Sequence, residues 1–148
     1  MREVRGKRYG EWVIGEVYET GRRTVTETDI VNFAGLSGDY NQLHTDAVFA
    51  ESTPYGGRIA HGALVFSITT GLVDHSGLID GTVIGFLGAS MSWSAPVKAG
   101  DTISVKITPI NKKLTKNPGR GIVTLKLQVV NQNDKVTCEQ EWTVMFTV

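Results

Sequence analysis

Cysteine occurs once in the 148 residues, at Cys138, so no internal disulfide can form and a reducing compartment suits the chain. Neither sign of charge prevails. Fifteen basic residues balance fifteen acidic ones, which leaves no global attraction for nucleic acid or an anionic membrane surface. Long hydrophobic runs are missing too. The most apolar stretch, Ala63 to Val73, is broken by Ser67, Thr69, Thr70 and Gly71 and is too short to span a bilayer. The opening residues, Met1 to Arg8, are polar and charged with no apolar run behind them, so no signal peptide is expected; the single cysteine makes a cytoplasmic setting the expectation. There is no glycine-rich phosphate loop, no Gly-x-Ser-x-Gly turn and no redox cysteine pair. The three histidines, His44, His61 and His75, have no short metal-ligand spacing, so no metal site is expected.

What remains is enough for one domain, residues 1–148, with 41% hydrophobic residues to build its core. Trp12 and Tyr18 mark an irregular arm that packs aromatics onto that core, and Arg22 to Thr26 reads as a short strand. Thr26 suits a helix N-cap, with Asp29 in the capping-box position. Ile30, Phe33, Ala34 and Ser37 follow at helical spacing, and Gly38 ends that helix. Asp46 caps a short helix carrying Val48 and Phe49. A long helix from about His61 to Val73 is apolar on most sides, which predicts burial on most sides. From Thr82 the period changes to two. Val83, Leu87, Ala89, Met91 and Trp93 are read as one strand face. Ile103, Val105 and Ile107 form another, as do Val123, Leu125, Leu127 and Val129. The last strand runs Val136, Cys138, Trp142, Val144, Phe146 and Val148, interrupted only by Gln140. Short connections between these strands predict an antiparallel sheet on one buried helix, an α+β layer.

Two stretches carry chemistry. Between Phe33 and His44 an acid, Asp39, and an imidazole, His44, sit in one short polar segment, the minimum set for moving a proton to and from a substrate. Asp39 alone reads as a turn residue and His44 alone as a surface or core histidine; together, with Asn41 between them and the Ala60-His61-Gly62 helix start downstream, they read as catalytic. Asn41 is either a turn residue or a hydrogen-bonding partner that orients the segment. The second stretch, Arg58 to Leu64, opens the long helix, where free backbone N–H groups and the positive dipole end are available. Gly62 is either a tight-packing residue or an N–H donor to a carbonyl oxygen. His61 beside it reads as structural or partner-facing. Thr70 reads as a residue bonded back to its own helix. Lys112, Lys113, Lys116 and Arg120 flank a hairpin tip at Asn117-Pro118-Gly119, read as solvated.

The pattern Phe33, Gly38-Asp39-x-Asn41, Leu43-His44, then Ile59-Ala60-His61-Gly62, resembles the MaoC-like hydratase/dehydratase family, from about Gly15 to the C-terminus. That family usually has Pro after the Asn, where this chain has Gln42. The resemblance implies a hot-dog fold, a curved antiparallel sheet wrapped around a long central helix. It implies reversible hydration of a trans-2-enoyl-CoA to an (R)-3-hydroxyacyl-CoA by Asp39 and His44, with the Gly62 N–H on the thioester oxygen. It adds Asn41, His61 and Thr70 as substrate-binding positions. For the basic hairpin tip, the option beside a solvated loop is a contact with the phosphates of a CoA tail. The expected partners are an acyl-CoA or acyl-carrier thioester and a second copy of the chain, in a homodimer or dimer-based oligomer; no cofactor is needed. The same fold also hosts thioesterases, and a non-catalytic acyl-thioester-binding subunit is the other alternative for the chain.

Overall fold

The computed structural model describes residues 4–148; Met1 to Glu3, the start of the polar opening stretch, lie outside the described residues. After a single 3-10 turn at Tyr9–Glu11, the arm places Trp12 in the core, its ring 5.3 Å from Phe146 and 5.7 Å from Tyr18. Two short strands follow, β1 (Tyr18–Glu19) and β2 (Arg23–Thr24). Helix α1 (Glu27–Ser37) starts on a capping box. The Thr26 hydroxyl accepts the Asp29 N–H at 3.1 Å, and the Asp29 carboxylate accepts the Thr26 N–H at 2.9 Å. Gly38 ends the helix in the left-handed region, φ 78°, where glycine carries no Cβ penalty.

Two short helices come next, α2 (Gln42–Thr45) and α3 (Ala47–Glu51). Asp46 closes the first and caps the second, accepting the Phe49 N–H at 3.0 Å. The long helix, α4 (Gly62–His75), buries Leu64, Val65, Ile68, Thr69, Leu72 and Val73, one face at helical spacing. Burial on most sides is not what the chain adopts. Ser67, Thr70 and Gly71 face outward, because a single sheet covers only one side of the helix. The two hydroxyls satisfy themselves on their own helix, Ser67 on the Ala63 carbonyl at 2.9 Å and Thr70 on the Ser67 carbonyl at 2.6 Å.

Four long antiparallel strands join β1 and β2 in a six-stranded sheet: β3 (Val83–Trp93), β4 (Thr102–Leu114), β5 (Arg120–Val130) and β6 (Val136–Thr147). Their order is β1-β4-β5-β6-β3, with β2 also on β4. This curved sheet over α4 is the hot-dog arrangement. The alternation read in β4, β5 and most of β6 is the one observed, with Ile103, Val105, Ile107, Val123, Leu125, Leu127, Val129, Cys138, Trp142, Val144 and Phe146 buried. Gln140, the polar interruption, is buried but satisfied. It donates to the Thr69 hydroxyl at 3.1 Å and accepts the Trp142 indole N–H at 2.8 Å. Val136 is half-buried and Val148 exposed.

Strand β3 departs from a simple alternation. Its pairing with β6 shifts between Val83 and Gly85 and again between Phe86 and Gly88, and each extra residue resets the period of two. Phe86, opposite buried Val144, takes the core side in place of Leu87, with its ring 5.0 Å from Trp142. β3 is also a free edge, and Ile84, Phe86 and Leu87 on it are 41%, 46% and 51% exposed.

Candidate active site

The site forms where α1 ends, α2 passes and α4 begins. Gly38 turns the chain out of α1, and Asp39 follows with its N–H on the Ser37 hydroxyl at 3.1 Å. The Asp39 carboxylate accepts the Asn41 N–H at 3.1 Å, and the Asn41 side-chain oxygen accepts the Leu43 N–H at 3.0 Å. Asn41 is therefore the N-cap of α2. This four-residue helix, too short to show a period in the sequence, is what carries His44. Gln42 occupies its first position, where a proline would sacrifice no helical hydrogen bond; the exchange leaves the cap intact.

His44 is half-buried, with Nδ1 2.7 Å from the Ile59 carbonyl oxygen. A carbonyl only accepts, so Nδ1 carries the proton, and in the neutral ring Nε2 keeps the free lone pair. Backbone pairing fixes the Ile59 side of this contact. The Ile59 N–H reaches the Leu43 carbonyl at 3.1 Å, and the Ala60 N–H reaches the Val97 carbonyl at 2.7 Å.

His61 is buried beneath His44. The two rings stack at 3.8 Å with planes inclined by 25°, and Phe33 meets the His61 ring edge-on at 5.0 Å. His61 Nε2 lies 2.9 Å from the backbone oxygen of Asp39. Asp39, His44 and His61 thus offer one ligand-type atom each within 4.8 Å of one another, a convergence that linear spacing hides. Each imidazole has one nitrogen engaged, His44 Nδ1 on the Ile59 carbonyl and His61 Nε2 on the Asp39 carbonyl, which leaves one nitrogen of each ring without that partner.

Gly62 is the first residue of α4, and His61 makes no side-chain cap. The N–H groups of the first turn therefore have no partner within the helix. The indole of Trp93 covers Gly62: Nε1 donates to the Gly62 carbonyl at 3.2 Å, and a Cβ on Gly62 would lie 2.8 Å from the ring. Trp93 went unnoticed as a site residue in the sequence. Its partner lies 31 residues away, and only its place at the end of a strand gave any signal.

Two cavities flank this junction. One of about 180 Å³ is lined by Gly62, Trp93, Tyr55, Ile59 and Val65 among others. The other, about 210 Å³ and mainly apolar, is lined by Ile30, Val31, Ala34, Tyr40, His44 and Arg58 among others. Arg58 is ion-paired with Glu27. Of the residues singled out in the sequence, Asp39, Asn41, His44 and His61 come together, while Gly62 follows His61 in the chain and lines the first cavity, His44 the second. Thr70 does not join them. It sits exposed eight residues further along α4, about 12 Å of helix rise. Lys112 is tied to the arm, its ammonium 3.0 Å from the Trp12 carbonyl and 4.5 Å from the Tyr9 ring centre, while Lys113, Lys116 and Arg120 are exposed.

Protein MaoC of Klebsiella aerogenes is 39% identical to the chain over 94 residues, which cover 64% of this chain and 28% of that protein. The chain thus spans little more than a quarter of that relative. The (R)-specific enoyl-CoA hydratase of Rhodospirillum rubrum is 32% identical over 123 residues, 83% of this chain and 81% of that one. Among solved structures, the monoamine oxidase regulatory protein from Archaeoglobus fulgius superposes with a TM-score of 0.88 at 37% identity, covering 96% of this chain and 95% of that one. The pattern of the MaoC like domain matches residues 11–131. With so much of the chain inside that match, the protein belongs to the MaoC-like domain family.

Proposed function

We propose that the chain reversibly hydrates a trans-2-enoyl thioester to an (R)-3-hydroxyacyl thioester. The observation that carries this reading is the contact between His44 Nδ1 and the Ile59 carbonyl, which leaves Nε2 as the lone pair available beside Asp39. Water adds its oxygen to C3 while one of its protons passes to His44 Nε2. The electron pair of the double bond moves onto the thioester oxygen, where the Gly62 N–H stabilises the developing charge. The Asp39 carboxylate holds the water, and the proton taken up by His44 passes by way of Asp39 to C2, so both side chains end as they began and the net change is one water added. Substrate and water supply every atom, so the reaction calls for no cofactor or metal.

Kinship with an (R)-specific enoyl-CoA hydratase supports this choice of reaction. The exposed apolar residues on the free β3 edge support a homodimer, since an unpaired apolar strand edge is an association surface. The described residues contain no helix long and apolar enough to cross a membrane. The single cysteine supports our assignment of the chain to a reducing compartment, the cytoplasm. The test is a panel of trans-2-enoyl-CoA substrates followed by loss of enoyl absorbance, with chiral analysis of the product. Release of free thiol would point instead to a thioesterase, and binding without turnover to a non-catalytic acyl-binding subunit.

A further inference from the structure

We infer that His61 is a positioning residue that holds Asp39 and His44 in register with one another, rather than a residue that touches substrate. The inference rests on the hydratase reading and deepens it. His61 is 1% exposed, so its side chain is closed off from any bound molecule. It makes one contact to each of them. Its Nε2 lies 2.9 Å from the Asp39 carbonyl, and its ring face lies under His44 at 3.8 Å. The Asp39 carbonyl only accepts, so Nε2 carries the proton and Nδ1 keeps a lone pair. That Nδ1 is buried and has no partner among the described residues.

The unmet nitrogen argues against simple packing. A buried acceptor without a donor is destabilising, and an apolar ring of similar size would avoid it. A residue selected only to bond the Asp39 carbonyl needs no flat face. An imidazole supplies both an edge donor and a stacking face, and the two catalytic candidates use one each. Phe33 closes the ring's other contact edge-on at 5.0 Å, which leaves the ring little freedom to tilt.

Two substitutions separate the contacts. H61F keeps a flat face and removes the donor; H61Q keeps a donor and removes the face. Turnover and KM of each are measured on trans-2-enoyl-CoA, alongside melting. Each variant should lose turnover, by up to about 10²-fold, with KM changed far less. Wild-type turnover in either variant, or a rise in KM alone, would overturn the inference. Long-range ¹H–¹⁵N spectra of the wild-type protein supply a readout independent of activity and of variant folding. The neutral rings should show the proton on Nε2 of His61 and on Nδ1 of His44. A proton on Nδ1 of His61 would mean that Asp39 is not held and would overturn the inference. A wild-type protein that hydrates no enoyl thioester would defeat the hydratase reading, while the tautomers would still decide whether His61 holds Asp39.

Discussion

Replacing Gly62 separates the role of its N–H from the role of its missing side chain. A Cβ there would stand 2.8 Å from Trp93 Cε2, 3.0 Å from Cζ2 and 3.1 Å from Nε1. Ordinary carbon contacts begin near 3.5 Å, so the indole must retreat by roughly 0.7 Å. Trp93 is half exposed and can do so. The retreat stretches its 3.2 Å hydrogen bond to the Gly62 carbonyl, a loss of about 0.5–1.5 kcal/mol, or about 2–4 °C of melting temperature per kcal/mol at this size. Gly62→Ala and Gly62→Pro both bring this Cβ. Only proline removes the N–H. It is otherwise suited to the position: a first helical residue tolerates proline, and His61, at φ −57° and ψ 139°, already has a backbone acceptable before one. Ala alone is therefore not a benign control, and the informative quantity is the Pro-to-Ala ratio. Repeating both in a Trp93→Leu background relieves the shared crowding. If the N–H holds the thioester oxygen, proline should cost about 10²–10³-fold more turnover than alanine in either background. Equal losses, on enoyl-CoA turnover assays of variants with matched melts, would refute the donor role and leave Gly62 as a space requirement.

Two further outcomes follow from the fold. Partial burial tends to raise the Asp29 carboxyl, but hydrogen bonds from the Thr26 backbone and hydroxyl and the charge of Arg23 outweigh it and hold it below its ordinary value of 3.8. A carboxyl lowered by folding stabilises at pH above that value and loses its contribution as pH falls through the folded one. Asp29→Asn should therefore destabilise at pH 7, by no more than about 1 kcal/mol for an acid in a first helical turn, and the gap from wild type in denaturant titrations should narrow below about pH 3.8; a gap constant down to pH 2 would contradict the capping account. At the β3 edge, sedimentation should find a dimer in the wild type and a shift toward monomer in Leu87→Glu, with activity falling in step. A wild-type monomer with full activity would contradict the dimer.

Much of the fold was legible because its signals are local. The Thr26–Asp29 capping box, the Gly38 stop and the alternation of β4 and β5 each lie within a few residues, and each is where the sequence pattern puts it. β3 resisted for a local reason of another kind. A bulge residue looks like any other residue in the chain, so Leu87 was read inward where Phe86 turns in. The outward face of α4 was missed because composition does not say how many layers cover a helix. The proximity of Asp39 and His44 is readable, since they lie five positions apart. The depth of His61, the cap formed by Asn41 on a four-residue helix, and the indole over Gly62 depend on contacts of the folded chain. Periodicity carries no information about those.

The central claim is that His44 Nε2 and the Asp39 carboxylate together add water across an enoyl thioester. It is tested most directly by following enoyl absorbance with wild type, Asp39→Asn and His44→Gln at matched concentration and confirmed fold. The account predicts that wild type converts trans-2-enoyl-CoA to the (R)-3-hydroxy product and that each variant loses about 10²- to 10⁴-fold in turnover. Near-wild-type turnover by either folded variant would contradict it.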